Sequence, residues 1–282
     1  MRKCYDCPRA CGADRSKDIG FCGGGEYARI VKTINPFTYE EPCLGTVSAV
    51  FFGGCNLKCA YCQNKDISFK PCGKVCDDNA LAALFDALSD NPLDLVTPTH
   101  YLSNIERAIA LMNRKPCIIY NTSGYETEGG VRRALGFSDV FLCDFKYADG
   151  ILSKTLSGAS DYPERAIKAL KVMREIPDEW VERSGEKILK RGLIVRHLVL
   201  PGYVQNSLRV LDIIASELGT DTVISVMSQF TPNGVGGPER KLKKIEYKLV
   251  TEHALRLGFK NGYFQDLSSA ESFYTPEFDD KT

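Results

Sequence analysis

Gly53-Gly54-Cys55-Asn56-Leu57-Lys58-Cys59-Ala60-Tyr61-Cys62-Gln63-Asn64 follows directly on the apolar run 47–52, and its cysteines stand in a C-x3-C-x2-C pattern. Three thiolates on one short loop can hold three irons of a 4Fe–4S cluster and leave the fourth iron open to a ligand. Soft thiolates suit iron–sulfur or zinc rather than oxygen-loving cations. A closed structural metal site takes four protein ligands, so a three-ligand loop points to a centre that binds something else as well. On the residues alone, the competing readings are a zinc loop or three incidental thiols.

The 282 residues suffice for one α/β barrel or two ordinary domains, and a hydrophobic content of 44% supports a large core. Lys+Arg 36 balance Asp+Glu 36, so no basic field is present to hold nucleic acid through its phosphates. Twelve cysteines fit either a disulfide-rich secreted protein or metal-bound thiolates in a reducing compartment. Residues 1–7 form no apolar signal segment, no stretch is long enough to span a membrane, and the last residues are not a lipidation box. A cytoplasmic protein with metal-bound thiolates is therefore expected, with neither membrane nor nucleic acid as partner.

Residues 1–27 are rich in Cys, Gly and charge, and read as a small metal-stapled module. Residues 28–45, with Pro36 and Pro42, read as a short extended connector. These give a cysteine-rich module and connector over 1–45 and a larger domain over 46–282. In that domain, apolar β-branched runs at 47–52, 95–99, 117–121, 140–145, 193–200 and 223–230 suit strands buried on both faces. Helical stripes lie between them: Leu81, Leu84, Phe85 and Leu88; Ile105, Ala108, Ile109 and Met112, after a capping box of Ser103 and Glu106; Ala166, Ala169, Leu170 and Met173, with Pro163 in the first turn; and Leu211, Ile214, Ala215 and Leu218, ended by Gly219. A last helix is expected over 239–257, closed by Gly258, with a short strand at 262–264. The alternation predicts a parallel sheet with right-handed crossovers, as a doubly wound sheet or a barrel.

A second thiol set, Cys4-x2-Cys7-x3-Cys11-x10-Cys22, sits in the N-terminal module. An auxiliary iron–sulfur cluster, zinc, and disulfides or free thiols all fit its spacing, with Cys43 as an alternate ligand. Polar residues recur where each apolar run stops: Thr97 and Thr99; Asn121 and Ser123; Asp144 and Lys146; Arg196 and His197; Gln229. In β/α barrels such strand ends carry the site. The forked donors of Arg196 suit a carboxylate or hydroxyl. Asp144 and Lys146 are placed to polarise a site or to pair. His197 and His100 are each as readily structural as functional.

The cluster loop, with Tyr61 before its last cysteine, resembles the radical S-adenosylmethionine (SAM) superfamily. The segments 121–125 (NTSGY), 144–147 (DFKY), 195–202 (VRHLVLPG) and 227–232 (MSQFTP) resemble its pyruvate formate-lyase activating enzyme-like branch, in particular members with an N-terminal cysteine cluster. The resemblance spans residues 4–265. It implies a partial (β/α)6 barrel with a small cysteine-rich module, and SAM chelated by the open iron of a 4Fe–4S cluster on Cys55, Cys59 and Cys62. It further implies reductive cleavage of SAM to a 5′-deoxyadenosyl radical, a protein or peptide substrate, and a reducing partner such as flavodoxin or ferredoxin. Tyr61 would contact the adenine through its backbone, and Asn121 and Ser123 would lie near SAM. Many members end the second strand in Gly-Gly-Glu, which binds the SAM amino group; here that place reads Thr97-Pro98-Thr99-His100. The Thr97 or Thr99 hydroxyl is then expected to hold the amino group. Activation of a glycyl radical enzyme is the leading expectation. Another radical modification, such as epimerisation, methylation or crosslinking, comes next, and a non-catalytic iron–sulfur electron carrier or a zinc-binding interaction protein last.

Overall fold

The computed structural model describes residues 3–266 other than 40, 184 and 235. The chain runs β1 (Ala28–Thr38), β2 (Thr46–Phe52), α1 (Lys65–Ser68), β3 (Lys74–Cys76), α2 (Asp78–Leu88), β4 (Leu93–Val96), α3 (Leu102–Leu111), β5 (Ile118–Thr122), α4 (Glu128–Ala134) and β6 (Val140–Asp144). It continues through α5 (Gly150–Ser157), α6 (Tyr162–Met173), β7 (Glu179–Arg183), β8 (Glu186–Leu198), α7 (Val204–Leu218), β9 (Val223–Met227), α8 (Lys244–Leu257) and β10 (Gly262–Phe264). One sheet takes the order β10-β9-β8-β6-β5-β4-β2-β1-β3, parallel from β2 through to β10. β2, β5 and β9 are buried on both faces, as their unbroken apolar runs require. The C-terminal ends of β2, β4, β5, β6, β8 and β9 all border one cavity. A flat sheet cannot bring its second and ninth strands to a common space, so the sheet curls into a partial barrel.

Each of the six expected strands is present, and Pro163 and Gly219 sit at the helix ends foreseen for them. The last helix starts later than expected, at Lys244, and closes on Gly258 at φ 80°. Three readings change. The stretch taken for a connector contains β1, an 11-residue strand antiparallel to β2. Pro36 lies inside its register shift between Ile34 and Phe37, where a residue without an N–H interrupts no ladder bond. The second surprise is the β7–β8 hairpin. Its residues are largely exposed and charged, with Arg191 paired to Glu179 at 3.1 Å, so no apolar alternation marks it. Finally, Ser103 and Glu106 form no capping box, because α3 starts at Leu102. Both side chains bond Arg133 of α4 instead, at 2.9 Å and 3.0 Å.

Tyr162 of α6 ties the strand ends together. It is fully buried. Its hydroxyl accepts the Lys146 N–H at 3.0 Å and lies 2.8 Å and 2.9 Å from the carbonyls of Ser123 and Asp144. Tyr162→Phe leaves these backbone groups without that partner in a dry interior. It is expected to cost about 1–3 kcal/mol in urea unfolding, with the fold retained.

Candidate metal and cofactor site

The cluster loop leaves β2 at a place where three segments nearly touch. A Cβ on Gly53 would overlap the Cys72 carbonyl oxygen, and one on Gly54, at φ 87°, would overlap that of Cys22. Only glycine tolerates both demands at Gly54. The Cys22 carbonyl then accepts the Cys55 N–H at 2.9 Å. Arg9 clamps the next turn: its guanidinium donates to the carbonyls of Asn56 (2.8 Å), Leu57 (3.3 Å), Ser157 (2.8 Å) and Gly158 (2.5 Å). It also stacks on Phe21 and Tyr125. Lys58 is held at φ 55°, a left-handed conformation that non-glycine residues rarely adopt.

Cys55, Cys59 and Cys62 line a cavity of about 220 Å³. Burial, with the neighbouring Cys59 and Cys55 adding to it, pushes the Cys62 thiol up to about 12. Burial also raises Cys55, again with Cys59 adding to the effect. A bound cation would offset that cost and favour the thiolates, as a cluster would. Among the described residues, no three His, Cys, Asp or Glu groups converge on a single metal ion. Thiolates bound to three separate irons of a cubane have no need to converge in that way.

The same cavity also carries charge. Asp144 sits between Lys146 (2.5 Å) and Arg196 (2.9 Å), and Arg196 also donates to Asn121 Oδ1 at 2.7 Å. Burial opposes ionisation of Asp144, but the two cations overcome it and hold the carboxyl below the usual carboxylate range. Among the charged residues lining the cavity, Lys146 and Arg196 outnumber Asp144, so the cavity favours an anionic ligand group. Thr97 also lines the cavity, at φ 64° with its N–H bonded to the Asn121 carbonyl at 2.9 Å. A β-branched residue in that region is strained, and such strain clusters at functional sites.

The fold thus brings together Cys55, Cys59, Tyr61, Cys62, Thr97, Asn121, Ser123, Asp144, Lys146, Arg196 and Gln229. Two expected contacts lie elsewhere. The Thr99 hydroxyl is buried and donates to Glu126 at 2.6 Å. Both ring nitrogens of His197 are taken, one by the Phe145 carbonyl at 2.8 Å and one by Ser207 at 2.9 Å. Cys4, Cys7, Cys11 and Cys22 do not line the cavity. Sequence reasoning missed Tyr39 and Asp94, which bond each other and Asn121 and so set that side chain. A lone carboxylate inside the buried run 93–96 was the available signal.

Residues 43–127, which carry the loop and the first strands of the barrel, match the family model of a 4Fe-4S single cluster domain. The crystal structure of Streptococcus suis SuiB bound to S-adenosylmethionine is similar at TM-score 0.53 and 16% identity, over 80% of this chain and 51% of that one. Another SuiB crystal structure is similar at TM-score 0.50 and 15% identity, over 77% of this chain and 48% of that one. The chain shares the fold of these structures, and its cluster loop lies in the part that resembles a 4Fe-4S single cluster domain. It spans about half the length of these solved structures. An uncharacterized protein of Methanocaldococcus jannaschii is 25% identical over 244 residues, covering 82% of this chain and 67% of the relative. Among the described residues, no helix is long and apolar enough to cross a membrane.

Two outcomes follow from this geometry. Gly54→Ala should displace Cys22 from Cys55 and lower both iron retention after reconstitution and the melting temperature. Glu126 is fully buried and accepts from Thr122, Thr99 and Tyr120, and burial pushes its carboxyl up to about 7 from 4.5. A carboxyl raised on folding contributes stability that is complete below its unfolded value and lost as pH rises through the folded one. Relative to Glu126→Gln, the metal-free parent should therefore lose roughly 3 kcal/mol between pH 4 and pH 8, read from paired urea titrations.

Proposed function

We propose that the cavity binds SAM and that the chain is a radical SAM enzyme acting on a protein or peptide substrate. The observation that carries this reading is that the three loop thiols and the Asp144–Lys146–Arg196 group line one cavity. Cys55, Cys59 and Cys62 would hold the cluster. When bound, it supplies the electron that cleaves SAM to methionine and a 5′-deoxyadenosyl radical, which abstracts a substrate hydrogen. Arg196 and Lys146 would receive the SAM carboxylate or ribose hydroxyls, with Asp144 fixing both cations. Asn121, Ser123, Thr97 and Gln229 would supply neutral hydrogen bonds along the strand ends, and Tyr61 would border the adenine. In this reading residues 1–45 are the thiol module and connector, with β1 joined to the sheet, and residues 46–282 the catalytic partial barrel. The protein would work in the cytoplasm with a one-electron reductant such as flavodoxin or ferredoxin.

The motifs at 121–125, 144–147, 195–202 and 227–232 favour activation of a glycyl radical enzyme. A second reading, another radical modification of a peptide or small molecule, is favoured by Thr97 at the place where Gly-Gly-Glu would bind the SAM amino group.

Anaerobically reconstituted protein with dithionite should release 5′-deoxyadenosine from SAM, measured by liquid chromatography, and the Cys55→Ala/Cys59→Ala/Cys62→Ala variant should release none. Cleavage retained by that variant would sink the assignment. Arg196→Lys should weaken SAM binding by about 10–100-fold, roughly 1.4–2.8 kcal/mol, because a point charge replaces a forked donor. Thr97→Gly should raise the melting temperature by removing about 1 kcal/mol of backbone strain, yet bind SAM less tightly for want of the hydroxyl.

A further inference from the structure

The N-terminal thiols gather without entering the cavity. A Cβ on Gly20 would stand 3.4 Å from the Cys11 sulfur and 3.6 Å from that of Cys22, so these two flank one glycine. The Gly12 N–H donates to the Cys4 carbonyl at 3.0 Å and the Cys4 N–H to that of Ala13 at 2.9 Å, which sets Cys4 beside Cys11; the Ala10 N–H donates to the Cys7 carbonyl at 3.0 Å and closes the turn from Cys7 to Cys11. None of the four is in a disulfide. Arg15 lies among them, donating to the Cys22 sulfur at 3.6 Å, and its Nε is buried with no hydrogen-bond partner. The Gly24 N–H also points at the Cys22 sulfur, at 3.4 Å. A buried cation and a backbone donor aimed at clustered thiols are satisfied when those thiols become metal-bound thiolates.

Position sets the kind of centre. Cys4, Cys7 and Cys22 are buried while Cys11 is exposed. On the inner side, the Cys22 carbonyl accepts the Cys55 N–H, so one hydrogen bond joins a ligand of this set to the first cysteine of the cluster loop. The fourfold Arg9 clamp holds the two segments in that register. Zinc has no redox chemistry and would gain nothing from standing between solvent and a redox loop.

We infer that Cys4, Cys7, Cys11 and Cys22 ligate a second iron–sulfur cluster that relays electrons from the Cys11 surface to the loop of Cys55, Cys59 and Cys62. One electron leaves a one-electron protein reductant, reduces this cluster, and passes to the loop-bound cluster, leaving the second oxidised again. No bond is made or broken and no proton moves. The existence of the site is independent of the proposed function, and only the electron's destination rests on it.

The test begins with the Cys55→Ala/Cys59→Ala/Cys62→Ala variant, reconstituted anaerobically and assayed for iron, acid-labile sulfide and zinc. About four irons with matching sulfide, and a reduced-state EPR signal that SAM does not move, are expected, against about eight irons in the parent. Zinc without sulfide, or no metal, overturns the proposal. Cys4→Ser/Cys7→Ser should keep about four irons whose EPR signal shifts with SAM. By stopped-flow absorbance it should be reduced at least tenfold more slowly than the parent by photoreduced flavodoxin, and an unchanged rate overturns the relay. Should that variant fail to fold, Arg15→Leu keeps all four thiols. It should lower the potential of the second cluster, and an unmoved potential overturns the placement of Arg15 beside it. A second cluster present beside a loop cluster indifferent to SAM would remove the proposed function and leave this site standing.

Discussion

Backbone passes backbone at Gly53–Gly54, and the candidate site depends on that approach. The Cys72 and Cys22 carbonyls occupy the space that side chains would need there. The N-terminal module can therefore lie directly on the loop, with Cys22 bonded to Cys55 and His100 bonded to the Gly53 carbonyl at 2.9 Å beneath it. Burial drops the His100 pKa to about 4, so at neutral pH this histidine is a neutral packing piece. One close approach thus sets the exit angle of the loop, the direction of its first thiol and the seat of the module.

The barrel interior supplies what the loop lacks. Cys55 and Cys62 are costly to ionise where they stand, and a bound cluster would remove that cost. The charged residues of the same cavity have the opposite imbalance, two cations against one carboxylate. The curl of the sheet brings the two groups to one cavity, and it follows from the twist and right-handed crossovers of parallel strands.

Much of this was legible because the informative residues sit at the ends of unbroken apolar runs. Cys55, Cys59 and Cys62 are marked by spacing, and Asn121, Asp144 and Arg196 by polarity where β5, β6 and β8 stop. Thr99 and His197 carried the same mark. His197 is one residue past Arg196 on β8, a displacement that turns its side chain from the cavity to Ser207 in the layer behind. Thr99 lies beyond β4 in the helical turn Thr99–Tyr101 and reaches Glu126 from there. Tyr39 was hidden because β1 is bulged and loses its alternation after Ile30, and the β7–β8 hairpin because most of its residues are exposed, with Leu189 buried among them.

Asp94 explains how a single arginine can be aimed across such a cavity. Its carboxylate accepts from Tyr39 and, at 3.3 Å, from the Asn121 amide nitrogen. Donation from that nitrogen leaves the Asn121 oxygen turned toward Arg196, which bonds it at 2.7 Å. The other edge of the guanidinium is held by Asp144. Burial pushes the Asp94 carboxyl up to about 6, and the Tyr39 and Asn121 donors, with Arg196 nearby, offset part of the cost of its charge. Tyr39 from the end of β1, Asp94 from β4, Asn121 from β5 and Arg196 from β8 form one connected wall. The orientation of Arg196 is consequently a property of strands on both sides of the barrel, and the strand taken for a connector is a working part of it.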